Sequence, residues 1–349
     1  MHSRDAGISE PEQCIDCAGR DWNLESDKYA ASRSKKCLVS SKRIVIAGGS
    51  GFIGRRLARR LLARKDLVTV LSRNPVASRS GLPDAVRVAG YTPNAEGPWF
   101  DELAKTDAVV NLSGEQVVGV RWTPAKKKEF EDSRIGVGQV LVKAIERIPE
   151  QHRPKVLFGA SGIGYYGARG PNEDIDESGI PGRDYVALLA QRWEEALAPA
   201  ASLGVRVVRG RFGLVLGKGG GALAKMARPF RMHVGGPIGS GKQIVSWVHI
   251  DDLCGMILMA IDKPELSGPM NVTAPNPVTM DQFADAIGLI LHRRSYLRVP
   301  EGAVKALFGE GAEPLLTGQR VLPKVADAMG YEFEYPELLP ALESVLGPD

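Results

Sequence analysis

The sequence has no apolar run near the roughly 18 residues a membrane-spanning helix requires, so no spanning segment is expected. Cysteine is scarce, with Cys14, Cys17, Cys37 and Cys254 the four in 349 residues. The C-x-x-C pair at Cys14 and Cys17 suggests zinc or redox chemistry. A zinc site needs about four ligands, however, and neither His2 nor Cys37 has zinc-finger spacing. No metal is expected. Cys254 lies in the apolar stretch "LCGMILMAI" and reads as a small buried residue. Excess charge is also lacking: the net charge is only +4, which argues against a nucleic-acid partner. No P-loop or nucleophile-elbow pattern occurs. These absences leave a cytoplasmic protein acting on a small molecule as the expectation, with the oligomeric state open.

The length suits one large domain or two modest ones. Residues 1–41 stand apart. They are polar, mixed in charge and without helical or strand period. They lack the apolar stretch of a signal peptide, and their acids argue against a transit peptide. A disordered extension is expected.

Regular pattern begins at Lys42. "RIVIA" is a short β-branched run, as a buried parallel strand should be. After the glycines, Ile53, Leu57, Ala58, Leu61 and Leu62 share one helical face. Arg55, Arg56, Arg59, Arg60 and Arg64 occupy the other side, read as a solvated face. "LVTVLS" is a second strand, which completes a βαβ unit.

Between strand and helix lies "GGSGFIG". Gly48, Gly51 and Gly54 are spaced for a tight turn, close backbone approach to a pyrophosphate and close helix packing. The helix N-terminus offers free N–H groups to phosphate. A dinucleotide is therefore expected against Gly48, Ser50, Gly51, Phe52, Ile53 and Gly54. Its type is decided after the second strand. A carboxylate there would select NAD(H); Ser72 and Arg73 stand there instead. A guanidinium and a hydroxyl suit a 2′-phosphate, so NADP(H) is expected rather than NAD(H).

The alternation continues through "DAVVNLSG", which ends in the small turn Leu112, Ser113 and Gly114. "WTPAKKKEFEDSRIGVGQVLVKAIERI" reads as one long helix with Thr123 as N-cap. "KVLFGAS" and "VRVVRGRFGLVLG" are further strands. Strands alternating with helices predict an α/β fold with a doubly wound parallel sheet. Ligands bind beyond the carboxyl ends of such strands, where Ser113, Ser161 and the loop with Val215 should sit. "GKGGGALAKMARPFRMHVGGPIGSGKQIVSW" reads as a flexible lid or as a surface loop followed by a hairpin. "VTMDQFADAIGLILHRRSY" reads as a helix capped by Thr279. Leu338, Leu342 and Leu346 have helical spacing in the tail.

The motifs "GGSGFIG", "DAVVNLSGE", "ASGIGYYG", "GGPIGSGKQIVSWVHIDDL", "NVTAPNPV" and "GQRVLPK" occur in this order. Together they resemble the atypical extended short-chain dehydrogenase/reductase (SDR) group of epimerase-family, NAD-dependent epimerase/dehydratase-like proteins. The resemblance covers about residues 42–347. It implies a Rossmann domain, placed at 42–275 and containing the glycine-rich segment 217–247 read above as a lid or loop, and a smaller C-terminal α/β substrate domain at 276–349. It also implies NADP(H) contacts at Ser72, Arg73, Leu112, Ser113, Glu129, Arg134 and Val215. Of these, Glu129 and Arg134 rest on the resemblance alone; by periodicity they are helix-surface charges.

SDR enzymes use a tyrosine, a lysine four residues later that favours its phenolate, and a Ser or Thr. In "GRDYVALLAQRWEEALA", alignment through Glu194 puts Val186 and Ala190 at the tyrosine and lysine positions. A shift by one residue gives Tyr185 and Leu189. Neither register has the lysine. Gly162 stands where the Ser or Thr belongs, next to Ser161. Ser161 and Tyr165 are therefore the candidate catalytic hydroxyls, whereas Tyr166 reads as packing. His249 and Asp251 are a conceivable holder of a polarised water, but "VHIDDL" more simply joins two parts and caps a helix. Two functions follow: an NADP(H)-dependent oxidoreductase or epimerase on a small carbonyl or hydroxyl compound, or a non-catalytic NADP(H)-binding sensor or interaction module.

Overall fold

The computed structural model describes residues 41–347. The expected extension and the Cys14–Cys17 pair, with Cys37, lie outside them. Seven parallel strands form the central sheet: β1 (Arg43–Ala47), β2 (Leu67–Ser72), β3 (Arg87–Gly90), β4 (Ala108–Asn111), β5 (Val156–Gly162), β6 (Arg206–Phe212) and β7 (Gly268–Val272). Their spatial order is β3-β2-β1-β4-β5-β6-β7. The order reverses between β1 and β4, and in such sheets the ligand crevice opens there. Rossmann topology is thus as expected.

Successive side chains of a strand point to opposite faces, and the core divides accordingly. Ile44, Ile46, Val110 and Phe158 meet the Phe52–Ala63 and Ile250–Asp262 helices through Leu57, Leu61, Leu253 and Ile257. Val45, Ala47, Val109 and Leu157 meet the Val137–Arg147 helix through Leu141 and Ile145. Cys254 is fully buried in the first of these cores, as its apolar context predicted.

A third core joins Leu223 and Phe230 of the Gly221–Arg231 helix to Phe283 and Ile287 of the Met280–Ile290 helix and Leu342 of the Leu338–Leu346 helix. This corrects the reading of the glycine-rich segment as a loose lid or loop with hairpin. Its glycines make room instead: a Cβ on Gly220 would stand 2.6 Å from the Phe52 ring. The caps are as predicted, with Thr123 accepting the Lys126 amide and Thr279 forming a capping box with Gln282.

Three further corrections are local. The helix expected after Thr123 is interrupted by a π-turn at Asp132–Gly136. The strand expected through Leu216 breaks at Gly213, where a Cβ would stand 2.7 Å from the Ser246 carbonyl oxygen. The arginines of the first helix are not simply solvated. Arg56 binds Asp251 through two bonds of 2.5 and 2.7 Å, Arg60 binds Glu334 at 2.7 Å and Arg64 binds Asp66 and Asp262. No helix among the described residues is long and apolar enough to cross a membrane.

Candidate functional site

The crevice is built by two backbone turns pressed together. Gly48, directly after β1, has φ of +76°, and a Cβ there would stand 2.8 Å from the carbonyl carbon of Leu112. Only glycine meets both demands. Gly54 lies so close to Gly49 that its Cβ would stand 2.5 Å from that Cα. The helix from Phe52 has no acid in its first turn, so its free N–H groups face no competing anion. Ser50 accepts Arg55 Nε on its carbonyl at 2.7 Å. Gly51 caps the helix in extended conformation.

At the end of β2, Ser72 is buried and Arg73 exposed. Ser72 Oγ meets Ser78 Oγ at 2.6 Å and accepts the Asn74 amide at 3.1 Å, so its main work is to fold the turn that presents Arg73. After β4, Asn111 Oδ1 accepts the Ser113 amide at 3.1 Å. Asn111 Nδ2 is buried without a hydrogen-bond partner among the described residues, and Ser113 Oγ interacts with the nearby Tyr91 hydroxyl. Buried polar groups left open in this way ordinarily have a partner, and a bound ligand would provide one. The glycine cradle, the open helix end, the exposed Arg73 and the unmet Asn111 amide fit a dinucleotide.

A cavity of about 690 Å³ continues from this crevice and is lined by Phe52, Ile53, Leu112, Gly114, Arg134 and Val215 on the crevice side. Arg134 lies on the π-turn, a distortion that recurs at functional sites. It is buried, donates to the Glu115 carbonyl at 2.7 Å and has no carboxylate ion-pair partner among the described residues. Burial pushes it down to about 10, so it stays charged at neutral pH. Glu129 sits elsewhere, on the exposed face, bound to Lys126 at 2.6 Å. It is not brought to the cavity.

The Tyr185–Glu195 helix presents Val186, Leu189, Ala190 and Trp193 to the cavity. Val186 and Ala190 thus occupy the wall expected from alignment through Glu194. Tyr185 does not line this cavity. It packs with Trp122, under Lys127 Nζ at 4.7 Å from its ring, and burial raises its pKa.

Ser161, at the end of β5, lines the cavity and donates to Glu194 Oε1 at 2.9 Å. Arg211 closes on the same carboxylate, Nε to Oε1 at 2.8 Å and Nη2 to Oε2 at 2.9 Å. Tyr165 is not brought to the cavity. Its ring packs 3.5 Å from the Arg211 guanidinium in a cation–π contact. Tyr166 is fully buried, accepts from Arg211 Nη1 at 2.9 Å and donates to Asn271 at 2.6 Å. Burial pushes its phenol up to about 12, which rules it out as a base at neutral pH. His249 caps the following helix by accepting the Asp251 amide at 3.2 Å, as the simpler reading of "VHIDDL" had it.

Sequence reasoning missed the Glu194–Arg211 pair. A signal for the pair existed: a glutamate inside the apolar stripe Leu189, Ala190, Trp193 and Leu197, and an arginine inside an apolar strand.

Residues 44–273 match the NAD dependent epimerase/dehydratase family, and residues 299–345 match a domain of unknown function, DUF1731. The chloroplastic epimerase family protein SDR39U1 homolog of Arabidopsis thaliana is 41% identical over 307 residues, 88% of this chain and 87% of that protein. A crystal structure of human epimerase family protein SDR39U1 (isoform 2) with NADPH is similar at TM-score 0.76 and 35% identity, covering 87% of this chain and 99% of that one. A nucleoside-diphosphate sugar epimerase from Corynebacterium glutamicum is similar at TM-score 0.70 and 27% identity, covering 88% of this chain and 59% of that one.

Proposed function

Because this chain belongs to the NAD dependent epimerase/dehydratase family, we propose that it binds NADP(H) and works as an oxidoreductase or epimerase on a small carbonyl or hydroxyl compound. The observation that carries this reading is the cavity itself, about 690 Å³ and continuous with a glycine-lined crevice at the strand ends. The NADPH in the human relative supports the cofactor. Arg73 supports the phosphorylated form over NAD(H). When bound, NADP(H) supplies or accepts a hydride.

The residues of this chain do the rest. The 48–54 turn and its helix end hold phosphate, and Arg73 pairs with a further phosphate. Val186, Leu189 and Ala190 exclude water from the reacting region. Ser161 orients a substrate oxygen. No side chain of the Tyr185–Glu195 helix supplies a lysine-assisted phenolate, so the proton moves to or from water or the substrate.

The same apolar face favours a second reading, a non-catalytic NADP(H)-binding protein. Calorimetric titration with NADPH and NADH, followed by nicotinamide absorbance with a panel of carbonyl compounds, separates the two. Turnover of any panel member above the rate of free NADPH supports the enzyme. Tight NADPH binding without turnover of any member supports the binding protein. Absence of NADPH binding overturns both.

A further inference from the structure

Two surface segments, 232–234 and 296–299, are fastened to each other along their backbones. The Leu297 amide donates to the Gly235 carbonyl at 3.3 Å, the Val299 amide to the Pro237 carbonyl at 2.9 Å and the Gly239 amide to the Val299 carbonyl at 2.9 Å. Gly236 lies so close that a Cβ there would stand 2.4 Å from the Leu297 carbonyl oxygen. The side chains of these segments are apolar and in the open. Met232 and Tyr296 are 62% and 63% exposed, and Val234, Leu297 and Val299 are exposed with them. Val234 and Val299 also line the cavity, so the patch lies at its mouth. Single exposed apolar residues are ordinary, but a joined group of them marks an interaction site.

The charge around the patch has one sign. Residues 221–242 and 286–299 hold seven Lys and Arg and no Asp or Glu. The whole chain carries only +4, so +7 here leaves the remainder net negative. Arg298 binds Asp281 at 2.9 Å. Arg228, Arg231, Lys242, Arg293 and Arg294 are exposed and have no carboxylate partner among the described residues. Arg228 and Arg231 complement the C-terminal end of their helix, but that does not account for the other three. In both segments the arginines immediately precede the apolar residues: Arg231 before Met232, and Arg293 and Arg294 before Tyr296 and Leu297.

We propose that this face docks on a bilayer containing anionic phospholipid. Met232, Val234, Tyr296 and Leu297 enter the headgroup region, and the flanking arginines lie on lipid phosphates. Charge complementarity selects this occupant. Cations beside a small apolar group match the layering of a bilayer surface, phosphate outside and acyl carbon within. A tyrosine suits the boundary between them. Docking in this way brings the cavity mouth against the membrane.

The test is flotation of the full chain with phosphatidylcholine vesicles, with and without about 30% phosphatidylglycerol. Wild type should float with the anionic vesicles, much less with phosphatidylcholine alone, and be released by high salt. Arg231→Ala with Arg294→Ala should weaken binding by more than about tenfold, at about fivefold for each cation. Met232→Ser with Leu297→Ser should also weaken it by more than about tenfold. All four residues are exposed, so melting curves of both double variants should match wild type. Vesicle binding that survives either double substitution would overturn the proposal: survival of the first removes the phosphate contacts, and survival of the second removes insertion. A wild type that ignores anionic vesicles would overturn it as well. In that event, sedimentation velocity separates the other occupants. A dimer lost in Met232→Ser with Leu297→Ser assigns the face to a second copy, and a monomer assigns it to a soluble acidic partner.

Discussion

Ser161 donates its hydroxyl hydrogen to Glu194 at 2.9 Å, and the same carboxylate is held by Arg211. A hydroxyl has one hydrogen to give and lone pairs to accept with. With the hydrogen committed to Glu194, Ser161 faces the cavity as an acceptor. It suits a substrate hydroxyl better than a carbonyl. The pair behind it also has a folding cost if broken. Glu194→Leu strands a buried Arg211 guanidinium and should cost about 3–5 kcal/mol of stability. Adding Arg211→Met should recover much of that loss. Urea unfolding of the wild type, both single variants and the double variant measures the coupling. Additive losses would refute the pairing.

Tyr185 and Tyr165 lie off the cavity, one beneath Lys127 and the other against Arg211. Tyr185→Phe and Tyr165→Phe should each change turnover by less than about threefold, far below the 10² to 10⁴ expected for a general acid–base. Steady-state rates on a substrate from the carbonyl panel decide this. A thousandfold drop in either variant would restore that tyrosine as proton donor.

Arg73 is the exposed cation after β2. Arg73→Ala should weaken NADPH by roughly ten- to a hundredfold, the loss of one charge-assisted contact of about 1.5–3 kcal/mol. NADH binding should hardly change. Isothermal titration with both nucleotides reads the difference. Equal wild-type affinities for the two would contradict the role of Arg73.

Gly48→Ala combines a positive φ with a backbone collision at Leu112. It should lower stability by about 2 kcal/mol or more and abolish cofactor binding, because the β1 and β4 turns are forced apart. Melting curves with and without NADPH check both effects. A variant still stabilised by NADPH would show that the turns tolerate separation.

Asp251 titrates below its ordinary 3.8: burial pushes it up, but the Arg56 hydrogen bonds and the charges of Arg56, His249 and Arg60 outweigh that. A depressed carboxylate stabilises above the unfolded pKa and loses that contribution as pH falls through the folded value. Arg56→Ala should therefore be destabilised by about 1 kcal/mol, after screening of a half-exposed arginine. The gap should be constant from pH 7 to 8 and narrow on acidification, first because Arg56 opposes the protonation of His249. It should shrink further below about pH 4, as Asp251 is protonated in both proteins. Unfolding free energies across that range test the sign.

The crevice was legible because its signals are local. A strand, three glycines and an amphipathic helix lie within a short stretch, and Ser72 and Arg73 follow the next strand directly. The register through Glu194 was legible too, and Val186 and Ala190 do face the cavity. What was not legible depends on distant partners. The glycines around Gly220 read as flexibility because the Phe52 ring they accommodate comes from far earlier in the chain. The π-turn that carries Arg134 inward leaves no period to detect in a helix of mixed charge.

The ties on the first helix bear on the order in which this chain is made and folded. Arg60 reaches Glu334, and Asp252 accepts the amides of Glu334 and Tyr335 at 2.7 and 2.9 Å. β1 and its helix are translated well before Glu334, which lies 274 positions after Arg60. Contacts of such sequence separation make folding slow. A nascent chain can pair β1 with β2 and close Arg64 on Asp66 soon after both leave the ribosome, but the first helix waits for Asp251, Asp262 and Glu334 to complete its ties. The arginines of that helix keep its outer face charged during the wait and give it little to aggregate with.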